Sequence, residues 1–164
     1  MPASVMKVIL QDITKLETDA LIVGFFEDVR PLKGFAGELD WLLCGSLAGL
    51  LINNKLRGSL GDIALLTSRG KVPARKIFMV GLGPRKKLSS DWMKNIAEIT
   101  AGSVLGAGAE NAVIEYFPPA DVPYDIGLAA MREGFSAGAK GRGFAVSLLA
   151  RDTAAFDNIS RFLK

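Results

Sequence analysis

The side chains able to do chemistry are few and spread out. The chain has no histidine and a single cysteine, Cys44, so the residue most used as general base and metal ligand is missing from it. Carboxylates stand apart, as Glu38, Asp40, Glu98, Glu110, Glu115, Asp121 and Asp125. Hydrolysis by two metal ions needs them clustered around both ions and a bridging water. They read instead as solvated faces and helix caps, with no catalytic residue, metal site or cofactor assigned. Cys44 sits among Leu42, Leu43 and Leu47, where a buried, inert thiol is expected. What remains is anion chemistry. Lys33-Gly34-Phe35-Ala36-Gly37 leads into a helical pattern, and Gly81-Leu82-Gly83 is followed by Arg85, Lys86 and Lys87. Amides at a helix start and a basic tail both favour a phosphate, while glycines at such places also serve simply to make turns.

The elements that must position these residues are legible as apolar runs. Val5 to Leu10 and Ile63 to Thr67 are short strands, and Asn111 to Phe117 is a strand stopped by Pro118 and Pro119. Asp19 to Phe26 and Lys76 to Leu82 run apolar without alternation, as strands covered on both faces do. Phe144 to Leu149 is the last strand. From Phe35 to Ile52, leucines 39, 42, 43, 47, 50 and 51 recur at spacings of three and four, predicting one helix. Further helices are predicted after Ser89 or Ser90, from about Pro123 to Ala139, and from Thr153 to Lys164, the last capped by Asp152 or Thr153 and turning Phe156, Ile159, Phe162 and Leu163 inward. Gly127, Gly134 and Gly138 make the third helix glycine-rich, which calls for close packing on another surface, either within the chain or between subunits. Strands and helices that alternate in this way predict an α/β fold, with a mixed, mostly parallel sheet of about six strands between helices. Sites in such sheets lie at the carboxyl ends of strands. Here those ends are Gly24 to Asp28, Gly81 to Lys87 and Phe117 to Asp121.

The 164 residues, 49% hydrophobic and 23% charged, suit one globular domain spanning 1-164. No apolar run approaches the roughly 20 residues of a membrane span, and no secretory signal is read at the start, so a cytoplasmic location without a membrane partner is expected. A net charge of +3 is mild for a nucleic-acid binder. The cluster Arg69, Lys71, Arg75 and Lys76 reads mainly as solvated loop charge, and a nucleic-acid partner is disfavoured.

Three stretches carry a resemblance. Gln11-Asp12-Ile13-Thr14-Lys15-Leu16-Glu17-Thr18-Asp19-Ala20-Leu21-Ile22-Val23 resembles the opening of macro domains, the fold known for binding ADP-ribose. Gly61 to Thr67 and Val72 to Gly83 follow the order of that fold's central strand pair. They look still more like the amino-terminal domain of leucyl aminopeptidases, which is itself macro-like. That family's order is a Leu-rich turn, a Gly-containing loop, a strand, and a strand ending in Gly-x-Gly with basic residues behind it. Leu47 to Leu51, Gly58 to Gly61 and Gly81 to Lys87 repeat this order, and a helix after Leu88-Ser89-Ser90-Asp91 follows as in the family. The resemblance runs from about Val5 to Phe135 and implies a three-layer α/β/α macro-domain-like fold.

The family's two metal ions are held by a Lys, several Asp and a Glu of a separate carboxy-terminal domain, which includes a segment of the type Asn-Thr-Asp-Ala-Glu-Gly-Arg. The chain contains no such segment, and peptidase activity is not expected of it. The macro resemblance assigns an adenine-facing role to Asp12, whose alternative is to cap the turn after the first strand. It places Gly24-Phe25-Phe26 where macro domains carry ribose-contacting Asn residues, and Pro118-Pro119-Ala120-Asp121 where they carry a diphosphate-binding Gly-rich loop. The ligand-binding candidates are Asp12, Gly24, Gly34, Gly37, Gly81 and Gly83. Two readings of function follow. One is a non-catalytic domain acting in subunit assembly, by self-association or with a partner protein. The other is a macro-type module for a nucleotide or other small phosphate-bearing ligand.

Overall fold

A computed structural model describes residues 5–117 and 121–163; the expected strand stop at Pro118 and Pro119 lies outside the described residues. Six strands form one sheet: β1 (Val5–Ile9), β2 (Ala20–Phe25), β3 (Ile63–Leu66), β4 (Lys76–Gly81), β5 (Asn111–Glu115) and β6 (Ala145–Leu149). Their order across the sheet is β1-β6-β5-β2-β4-β3. All neighbours run parallel except β3, which pairs antiparallel with β4. Five α-helices accompany them among the described residues: α1 (Gly34–Leu42), α2 (Ser46–Ile52), α3 (Ser90–Gly106), α4 (Tyr124–Ala139) and α5 (Thr153–Leu163).

The central strand shows why its run does not alternate. Successive side chains of a strand point to opposite faces. Leu21, Val23 and Phe25 enter the core beneath α1 and α2, while Ala20 and Ile22 enter the core that holds α3, α4 and α5. β4 repeats the division, with Ile77 and Met79 on the first side and Phe78 and Val80 on the second. The two cores on opposite faces make the three layers expected of the sequence.

The glycines of α4 are spent inside the chain. A methyl group at Gly134 would strike the Lys94 carbonyl oxygen of α3, and one at Gly138 the Glu98 carbonyl oxygen. Bare Cα atoms thus let α4 lie directly on the α3 backbone, and of the two packing partners the sequence left open, the internal one is found. Ser89 caps α3 by accepting the Trp92 amide at 3.3 Å, and Asp152 caps α5 by accepting the Ala155 amide at 2.8 Å.

Three expectations are corrected. The helix predicted from Phe35 to Ile52 is broken: Cys44 and Gly45 take positive φ values of 55° and 81°, and the axes of α1 and α2 differ by 108°. Because of that break, Cys44 is exposed rather than buried; it occupies the outside of the corner, not the leucine stripe. On α5, Ile159 is buried, but Phe162 stays 44% exposed, with its ring stacked on Tyr124 at a centroid distance of 6.3 Å. No single helix among the described residues is long and apolar enough to cross a membrane.

Candidate functional site

The corner between α1 and α2 is held by Asp40, whose Oδ1 accepts the amides of Leu47 and Ala48 at 2.9 and 3.0 Å. The inner leucines 39, 43 and 47 are buried against the sheet. The outer side is also apolar. A groove of about 1160 Å³ runs along it, lined by Pro31, Leu32, Trp41, Leu42, Leu51 and Ile52 among others. Trp41 is 81% and Ile52 78% exposed. Sequence reasoning missed both residues, although a signal existed: each is a large apolar residue standing outside the leucine stripe.

The carboxyl edge of the sheet holds most of the sequence-marked positions, without gathering them around one space. Asp12 caps a single 3₁₀ turn (Ile13–Lys15), its Oδ1 accepting the Thr14 amide at 2.9 Å and the Thr14 hydroxyl at 2.7 Å. Those bonds hold its carboxyl below the usual carboxylate range. Gly24 faces Leu82, whose side chain lies 2.8 Å from where a Cβ would stand. Gly34 has φ +61°, and a Cβ there would lie 2.8 Å from Glu115 Oε1. Gly37 packs on the Leu32 carbonyl and reaches the α1–α2 groove. Gly81 abuts the Ser59 carbonyl, and Gly83, at φ +72°, lies against the Trp92 ring. Between Gly24, Phe117, Glu115 and Arg151 a pocket of only about 50 Å³ remains.

Glu115 closes that pocket. Its carboxylate is buried, with Oε1 3.2 Å from the Arg151 guanidinium. Burial pushes its pKa up, and the attraction of Arg151, its hydrogen bond and that of the Phe35 amide pull the other way. On the other side of Phe117 and Arg151 a larger cleft opens, of about 760 Å³. Phe26, Arg85, Lys86 and Asp121 line it from the three strand ends marked by the sequence. Tyr124, Arg151 and Asp152 complete it, and sequence reasoning missed them. The signal for Arg151 and Asp152 was their position, immediately past β6.

The sequence and the fold are matched in known proteins. Residues 22–138 match the model of the cytosol aminopeptidase family, N-terminal domain. The chain belongs to that family. A probable cytosol aminopeptidase of Geobacter sulfurreducens is 32% identical over 135 residues, covering 82% of this chain and 27% of that protein. One from Alkaliphilus metalliredigens is 28% identical over 111 residues, covering 68% and 22%. The chain thus spans about a quarter of the length of these curated relatives. Among solved structures, tomato leucine aminopeptidase superposes with a TM-score of 0.72 at 17% identity, over 99% of this chain and 36% of that one. A macrodomain of Oceanobacillus iheyensis superposes with a TM-score of 0.74 at 12% identity, over 98% and 91%. The cytosol aminopeptidase N-terminal domain represented here therefore has the macro-domain fold, at identities that speak for the fold alone.

Proposed function

We propose that the chain is a non-catalytic assembly domain that pairs with a second copy of itself through the α1–α2 face. The observation that carries this reading is the exposure of Trp41 and Ile52 beside an apolar groove. Removing apolar surface from water is worth about 25 cal/mol per Å², and large aromatic side chains are the anchors of most interfaces. The face also offers both halves of a two-fold contact. A protruding indole and a groove beside it allow each copy to insert its Trp41 into the other, as a symmetric dimer requires of one patch. In this reading the chain works in the cytoplasm, as the name of its relatives says of them.

Sedimentation velocity over a range of concentrations tests the proposal. A monomer–dimer equilibrium is expected for the parent chain, with Trp41→Ser shifted to monomer while its circular dichroism is unchanged. A parent chain that stays monomeric throughout overturns it.

A further inference from the structure

Parallel strands bring their carboxyl ends to one edge, where the following loops and helix starts can surround a ligand. The 760 Å³ cleft lies at that edge, within the roughly 300–1,000 Å³ typical of small-molecule sites. Basic and aromatic side chains both line it. Arg85 and Lys86 occupy a 3₁₀ turn (Arg85–Lys87) fixed by the bond from the Arg85 amide to Asp28 Oδ1 at 3.0 Å. Neither forms a salt bridge among the described residues. Arg151 adds a third cation, bound to Glu115 yet 59% exposed.

Aromatic side chains line the cleft too. Phe26, Phe117 and Tyr124 are among them, and the Tyr124 ring stacks with Tyr116, 5.6 Å away, and with Phe162, 6.3 Å away. A ring fixed in this way costs little further ordering when a ligand packs against its edge. α4 begins at Tyr124 and α5 at Thr153, so two helix amino ends, which favour negative charge, adjoin the same space. Two carboxylates also line it. Asp152 serves as the α5 cap and keeps its charge, so Asp121 and Asp152 both oppose the three cations.

We propose that this cleft binds a small anion carrying an aromatic ring, of the class of aryl phosphates and nucleoside monophosphates. The ring packs on Phe26 and Phe117 and against the edge of Tyr124, and the phosphate meets Arg85 and Lys86. The cleft is bounded by elements other than α1 and α2, so the inference is independent of the self-association reading. It is also distinct from a site at Asp12, on which it makes no demand.

Isothermal titration calorimetry of the full chain with phenyl phosphate and adenosine monophosphate tests it, with inorganic phosphate and adenosine as single-feature controls. Saturable binding of both ring-bearing phosphates is expected, with each control weaker by about tenfold or more. Arg85→Glu with Lys86→Glu loses at least about tenfold in affinity through charge reversal, while Lys71→Glu binds as the parent does. These three positions have exposed side chains, and a thermal melt confirms that each variant is folded. No binding at millimolar ligand overturns the proposal. So does equal binding of inorganic and phenyl phosphate, or a loss caused by Lys71→Glu and not by the Arg85/Lys86 pair.

Discussion

Arg151 reaches back from the end of β6 to place its guanidinium 3.2 Å from Oε1 of Glu115 at the end of β5, with the arginine half in solvent and the glutamate enclosed. Burying a carboxylate costs free energy that one partly solvated partner offsets incompletely. The raised pKa of Glu115 expresses that balance.

The sign of the pH effect follows. A carboxyl whose folded pKa lies above its unfolded value holds its proton more tightly in the native state. Its penalty is absent below the unfolded pKa and fully present above the folded one. Glu115→Gln removes this titration. Urea unfolding between about pH 4 and 8 should therefore show the variant gaining on the parent as pH rises through and above the ordinary glutamate range. A difference that does not change with pH contradicts it.

The α3–α4 contact makes a paired prediction. Gly134→Ala and Gly138→Ala force a methyl onto a backbone carbonyl of α3, and each should cost about 1–3 kcal/mol or more through overpacking. Gly49 of α2 has open space around its missing Cβ, so Gly49→Ala should stabilise by about 0.5–1 kcal/mol through helix propensity. Chemical denaturation of the three variants checks both signs.

Tyr116 carries a cost that can be removed. Its hydroxyl is buried and has no hydrogen-bond partner among the described residues, lying 3.1 Å from where a Cβ of Gly127 would stand. An unsatisfied buried hydroxyl is worth about 1–3 kcal/mol against folding. Tyr116→Phe keeps the ring stacked on Tyr124 and should be as stable as the parent or more so. A clear loss of stability on thermal melting contradicts the assignment.

These residues also show what could be read without coordinates. The unbroken runs of β2 and β4, the strand ends near Gly24 and Gly81, and the Ser89 and Asp152 caps were legible, because strand burial and capping are written in neighbouring residues. The corner at Cys44 and Gly45 was not, because the three-and-four leucine spacing continues through it and Asp40, seven residues before Leu47, does the holding. The Glu115–Arg151 pair was hidden for another reason. The two residues lie 36 positions apart, and only the pairing of β5 with β6, which sets Glu115 opposite Leu149, brings them together.

The corner that escaped the sequence supplies the most direct test of the assembly reading, because the exposed Cys44 lines the same groove as Trp41 and Ile52. The measurement is the rate at which a thiol reagent in excess modifies Cys44 as chain concentration is raised. If copies pair through α1 and α2, the rate falls with concentration in the parent and stays fast in Trp41→Ser. A rate independent of concentration in both chains contradicts the account.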